Sequence, residues 1–133
     1  MVLIASLTLD AIVINRNNDL ESVPGSLYFF IGSIAIFGGG LFEWIIWLAN
    51  PLSLYSIIYL TKDNRKALKT APTALVIAIS FRFWKEILGS ESGAMAQIIS
   101  FKYGYYLWIL SIVILNCGII FYFHKYRNKI PMP

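Results

Sequence analysis

One uncharged run near the end of the chain constrains the fold more than any other feature. Residues 105–123 contain no Asp, Glu, Lys or Arg, and as a helix they would measure about 28 Å at 1.5 Å per residue. This length matches the hydrocarbon core of a bilayer, which is about 30 Å thick. Aromatic residues gather at both ends of the run, as they do at membrane interfaces. We therefore predict a membrane-spanning helix over about residues 104–123.

The composition favours an integral membrane protein. Of the 133 residues, 58% are hydrophobic and 14% are charged, and the mean hydropathy is +0.67. This leaves too little polar surface to cover a soluble globule of this size. A chain of this length suits one compact unit, so we predict a single polytopic membrane domain over residues 1–133.

Three further apolar runs complete the predicted fold. We expect spans at about residues 2–14, 27–49 and 71–88, with a short interfacial helix at about 51–60, because Pro51 removes a backbone donor and disfavours a straight helix through residues 26–60. The fold class predicted is therefore all-α, a bundle of about four membrane helices. Two alternatives stay open: residues 26–60 form one Pro-kinked helix that enters later, or residues 2–14 do not cross.

Basic residues at the ends of these runs indicate orientation. The stretches 62–69 and 125–129 are rich in Lys and Arg, and such clusters beside a span mark the cytoplasmic side. Both termini are then expected in the cytoplasm, and the membrane is expected to be a prokaryotic plasma (inner) membrane. The net charge of +4 does not form a stripe on a polar face, so we expect no nucleic-acid partner.

Glu43 is the most informative polar residue within a predicted span. A charge at the bilayer centre costs roughly 2.5–3.5 kcal/mol, so it must face the interior, pair, lose its charge or reach the headgroups. The small residues that precede it can form a helix-packing groove. They are Ala35, Gly38, Gly39 and Gly40. Beside such a groove, Glu43 can act as a proton- or ion-coupling carboxylate; alternatively, it lies near the cytoplasmic end between Trp44 and Trp47, which would be interfacial anchors.

Four other polar residues are candidates for binding or coupling. Arg82 and Glu86 would share one face of a helix at a spacing of four residues, beside Lys85. They either line a path with Glu43 or extend towards the outer headgroups. Asn116 lies mid-span and would hydrogen-bond to a neighbouring helix or contact a substrate.

No catalytic template is recognisable in the chain, so we expect no enzyme and no cofactor. Cys117 and His124 are the only residues of their types, which disfavours a disulfide or metal site within one chain. We expect the bilayer as a partner, together with another membrane protein or further copies of the chain. Two functions remain open: helix–helix binding in an accessory, immunity, exclusion or assembly role, or a small oligomeric transporter or channel that uses an intramembrane carboxylate.

Overall fold

The chain contains both helices and strands in a computed structural model that describes residues 1–89 and 93–127. The elements are α1 (Val2–Thr8), β1 (Asp10–Arg16), β2 (Asp19–Pro24), α2 (Gly25–Gly32), α3 (Leu41–Trp47), α4 (Ala49–Thr61), α5 (Ala67–Ser80), β3 (Glu86–Leu88), β4 (Met95–Phe101) and α6 (Tyr103–Arg127). Two 3-10 turns, Ala35–Gly38 and Phe81–Phe83, lie between them. The fold is mixed α and β.

A four-stranded antiparallel sheet with the order β2-β1-β4-β3 occupies one end of the fold. The strands β1 and β2 form a hairpin whose turn places both Asn17 and Asn18 at positive φ, 54° and 72°. Positive φ at both central residues suits the right-handed twist of a two-residue hairpin, and Asn tolerates it. Ile12 and Ile14 of β1 alternate inward and are almost completely buried.

The all-α prediction is wrong because four segments form the strands of a sheet: Asp10–Arg16, Asp19–Pro24, Glu86–Leu88 and Met95–Phe101. In the stretch AIVINRNNDLESV, the β-branched residues Ile12, Val13 and Ile14 precede an Asn pair, which favours a strand followed by a turn over a helix. The predicted span 2–14 is divided between α1 and β1. Within the predicted span 71–88, the α-helix ends at Ser80 and β3 follows. Apolar content alone misassigned these segments, since a buried strand is as apolar as a short membrane helix.

Residues 27–49 form a helical hairpin instead of one helix. The helix α2 ends at Gly32, and Gly39 has a φ of +84°, a left-handed conformation that ends the following 3-10 turn. The helix α2 then packs beside α3, where the Trp47 indole N–H donates to the Phe29 carbonyl over 2.8 Å. A Cβ at Gly32 would lie 2.8 Å from a Trp47 ring atom, so this packing needs glycine.

The helices α4, α5 and α6 form a bundle around a stripe of alanines on α5. These residues are fully buried, and their spacing of four, three and four positions places them on one helix face. They are Ala67, Ala71, Ala74 and Ala78. Ile112 and Ile119 of α6 pack against the stripe. Small residues let helix backbones approach closely, as in membrane bundles.

Two helices of the described residues are long and apolar enough to cross a membrane, judged by length and composition. They are Leu41–Thr61 and Tyr103–Tyr126. The first comprises α3 and α4, which meet at Leu48; Pro51 offers no N–H to the Trp47 carbonyl there. Only 11% and 17% of their most apolar windows are buried inside the protein, so most of their surface faces outward.

We predict that Gly104→Ala destabilises the fold. An added Cβ would lie 2.6 Å from the Leu9 carbonyl oxygen and 2.7 Å from that of Asp10, and such overpacking costs about 1–3 kcal/mol. Gly118→Ala is the matched control on the same helix, because no atom lies within 4 Å of its Cβ position. Thermal unfolding in detergent should show a lower Tm for the first variant only. Equal Tm values would contradict the close packing of α6 against Leu9 and Asp10.

Candidate functional site

Glu43 lies in the first turn of α3, where a carboxylate is favoured by the helix dipole. Its side chain is half-buried, and its Oε1 accepts a hydrogen bond from the Leu88 backbone N–H over 2.8 Å. A Cβ at Gly40 would lie 3.1 Å from the other carboxylate oxygen. The Glu43 carboxylate therefore ties α3 to strand β3 across a long sequence separation.

A partly open cavity of about 100 Å³ lies beside this carboxylate. The residues with polar side-chain groups on its wall include Ser6, Tyr28, Glu43, Asn50 and Tyr105, and most of the wall is apolar. The Ser6 hydroxyl is engaged with the Leu3 carbonyl at 2.6 Å. Burial raises the pKa of Tyr28 above its ordinary value. The cavity can hold a few water molecules or one small polar molecule.

A larger groove of about 420 Å³ lies between α4 and α6. Its lining residues are Leu3, Phe29, Trp47, Asn50, Pro51, Ser53, Leu54, Ile57, Trp108, Ser111, Ile112 and Leu115. The volume falls within the range of ligand pockets, roughly 300–1,000 Å³. We call this surface the α4–α6 groove.

This cavity and the α4–α6 groove share one wall. The shared residues are Phe29, Trp47, Asn50 and Trp108. Within the wall, the Trp108 indole N–H donates to the Asn50 side-chain oxygen over 2.8 Å, and the Trp47 indole donates to the Phe29 carbonyl. Both indole donors are thus satisfied inside the protein, and the rings present apolar surface.

Arg82, Lys85 and Glu86 do not share a helix face. Arg82 lies in the 3-10 turn after α5, with its guanidinium 4.9 Å from the Phe101 ring centroid. Lys85 lies in the bend after that turn, and Glu86 lies in β3 opposite Gln97. All three side chains are exposed. Their proposed role in binding or coupling stays a prediction, without the helical spacing on which it was based.

Asn116 is buried between α5 and α6. Its side-chain amide donates to the Ala71 carbonyl over 3.0 Å and to the Ile112 carbonyl over 2.9 Å. The first of these hydrogen bonds joins α6 to the alanine stripe of α5. The amide N–H groups are therefore engaged in packing the bundle.

The small residues before Glu43 lie in a turn and not on a helix face. Ala35 and Gly38 belong to the 3-10 turn, and no atom lies within 4 Å of a Cβ position at Gly38 or Gly39. Gly40 packs against Leu88 and the Ala35 carbonyl. A docking role for this segment stays a prediction.

The sequence analysis did not predict the wall that the cavity and the α4–α6 groove share, or the alanine stripe. The stripe had a signal, because alanines at positions 67, 71, 74 and 78 follow helical periodicity. The wall had none, because Trp47, Asn50 and Trp108 come together only when α3–α4 and α6 pack at one end of the fold. Pairing across such a distance leaves no local pattern.

Comparisons with known proteins give no information about this site. No family model, curated protein or solved structure matches the chain. Among residues 1–89 and 93–127, no group of three His, Cys, Asp or Glu side chains is placed to hold a metal ion. The candidate site is therefore the α4–α6 groove with the adjoining cavity and Glu43.

We predict that Glu43→Ala destabilises the contact between α3 and β3. The half-buried Leu88 N–H would lose its acceptor. An unsatisfied donor costs about 1–3 kcal/mol when it is fully buried, and we expect a smaller cost at this site. Glu43→Gln is the matched control, because its carbonyl oxygen can still accept this hydrogen bond. Amide hydrogen exchange should show faster exchange at Leu88 in the Ala variant than in the Gln variant. Equal exchange in both variants would contradict the assigned bond.

Asn116→Ala should lower the stability of the bundle by roughly 0.6–2 kcal/mol, the range for a hydrogen bond between membrane helices. The reason is the loss of the bond to the Ala71 carbonyl. Cys117→Ala is the control, since Cys117 is an exposed neighbour on the same helix. Thermal unfolding of both variants in detergent measures the difference, and an unchanged Tm for Asn116→Ala would show that the bond contributes nothing.

Proposed function

We propose that the protein is embedded in a membrane through its bundle and binds another membrane component at the α4–α6 groove, without catalysing a reaction. The observation that carries this proposal is the outward apolar surface of the two membrane-length helices. Their large exposed apolar residues include Leu54, Ile57, Ile58, Leu110, Ile114, Ile120 and Phe121. Monomeric soluble proteins rarely expose apolar patches of this extent.

The chemistry of the groove favours an apolar occupant. The Ser53 hydroxyl donates to the Ala49 carbonyl, and the Ser111 hydroxyl donates to the Trp108 carbonyl, each over 2.7 Å. With the indole donors also satisfied, the groove offers mainly apolar surface for a partner to contact. Association in a bilayer then depends on close van der Waals packing.

The helix arrangement favours a transmembrane helix as that occupant. The C-terminal parts of α4 and α6 meet around Ala67, Ala71 and Ile119, so α4 and α6 run in the same direction and α5 runs against them. The groove is lined by residues of α1–α4 and α6. A further helix placed there would cover the side of the bundle that α5 does not.

The alternative is a small oligomeric transporter or channel with Glu43 as its coupling carboxylate. The position of Glu43 on the wall of the cavity beside the groove favours this function. The hydrogen bond from Leu88 gives the same carboxylate a structural role, which is why we place binding first. Loss of ion-coupled transport by the reconstituted protein on Glu43→Gln, with its fold retained, would reverse that order.

We predict that Ser53→Phe releases the protein from a complex in the membranes of its native host. Ser53 lines the groove and is half-buried, so a phenyl ring there would occupy the partner's space. Val76→Phe is the control, because Val76 is 68% exposed on α5 and outside the groove. Native gel electrophoresis should show wild type and Val76→Phe in a larger species and Ser53→Phe as a monomer.

Two controls sharpen this experiment. Purified Ser53→Phe must unfold at the wild-type temperature, so that the release reports the groove. Co-expression of two differently tagged copies separates a homo-oligomer from a complex with another protein. A wild-type monomer, or a complex that survives Ser53→Phe, would contradict the proposal.

A further inference from the structure

Positive charge is concentrated at the end of the bundle away from the sheet. The basic side chains there are those of Lys62, Arg65, Lys66, Lys69 and Lys125, and the acidic residue among them is Asp63. Arg127 is the last residue of α6. At the sheet end, the described residues mix Arg16, Arg82, Lys85 and Lys102 with Asp10, Asp19, Glu21, Glu43 and Glu86. The excess positive charge of the described chain therefore lies at one end, which we call the basic end.

Packing brings two distant segments together at the basic end. Lys62, Arg65 and Lys66 lie in the turn between α4 and α5, and Lys69 lies in the first turn of α5. The other basic residues lie in the last turns of α6. Buried Ala67, Ala71 and Ile119 join these helices, with Tyr59 and Phe123 packed around them. The side chains of Lys62, Arg65, Lys66, Lys69 and Lys125 are exposed.

Two of these cations lie beside aromatic side chains. The Lys66 ammonium lies 5.9 Å from the Tyr59 ring centroid, and the Lys125 ammonium lies 5.8 Å from that of Phe121. The rings of Tyr122 and Tyr126 lie 4.8 Å apart. Tyrosines and adjacent basic residues mark the headgroup level of a membrane. Both membrane-length helices, Leu41–Thr61 and Tyr103–Tyr126, end at this level.

We infer that the basic end binds the headgroup phosphates of anionic phospholipids. This inference rests on the proposed embedding of the bundle, which places the cations at the headgroups. Clusters of Lys and Arg beside a membrane helix attract anionic lipids electrostatically. The cations border the apolar surface of two membrane-length helices, an arrangement that fits a lipid surface better than a nucleic acid.

The native Cys117 provides the probe for a direct test. It is the only cysteine of the chain and is exposed on α6, ten residues before Arg127, or about 15 Å along the helix. A fluorophore on Cys117 would report nearby lipids in phosphatidylcholine vesicles that contain a small fraction of nitroxide-labelled lipid. The nitroxide is carried on the acyl chain of either phosphatidylglycerol or phosphatidylcholine.

Labelled phosphatidylglycerol should quench the fluorophore about three times as strongly as labelled phosphatidylcholine at low salt. The preference should fall when salt is raised to 1 M, because the Debye length shortens from about 10 Å at 0.1 M to about 3 Å. Lys62→Gln with Lys69→Gln should reduce the preference at least by half. Lys85→Gln with Lys102→Gln removes the same charge at the sheet end and should leave it unchanged.

Each contrary outcome has a separate meaning. Equal quenching by the two labelled lipids would overturn the binding of anionic lipids at the basic end. Because phosphatidylcholine would then quench as well, that result would still support the embedding of the bundle. The absence of quenching by both labelled lipids would contradict the embedding and hence the proposed function. A preference that survives Lys62→Gln with Lys69→Gln but not the sheet-end substitutions would overturn the assignment to the basic end.

Discussion

The close approach of α5 to α4 and α6 is the constraint on which the bundle depends. Four fully buried alanines allow it, because each presents only a methyl group to its neighbours. Because the helices lie so close, short polar side chains of neighbouring helices contact each other, as do the hydroxyls of Ser56 and Thr70 at 2.7 Å. The Asn116 amide reaches the Ala71 carbonyl for the same reason. Larger residues in the stripe would separate the helices and break both contacts.

The sheet closes one end of this bundle and makes the two ends chemically different. Phe81 and Tyr105 link them, since both pack with the buried strand residues while the Tyr105 hydroxyl donates to the Ala78 carbonyl over 3.2 Å. The Glu43 carboxylate fastens α3 to β3 at the same end. This end has mixed charge, and the opposite end is basic. The basic end is where we propose that lipid headgroups bind, and the apolar surface of the bundle is where we propose that a partner binds.

Part of the fold was predictable from the sequence, and part was not. The uncharged run 105–123 lies within α6, because a continuous apolar run of that length has few alternatives to a helix. The sheet was missed because the apolar residues of its strands were interpreted as membrane spans. The pairs β1–β2 and β3–β4 join neighbouring strands of the chain, and only the β1–β4 pairing joins distant segments. Of the candidate residues, Glu43 lines the cavity beside the groove. The common helix face predicted for Arg82, Lys85 and Glu86 is absent, because α5 ends at Ser80.

The sequence by itself determined the apolar character of the chain, the length of its last helix and the grouping of basic residues in two segments, because these properties follow from local order of residue types. Tertiary structure decided what those features form together. It joined the two basic segments at one end, brought Trp47 and Trp108 into one wall and left a groove between α4 and α6. The physical reason is that these arrangements depend on how closely helices far apart in sequence can pack, which in this protein is set by the buried alanines of α5.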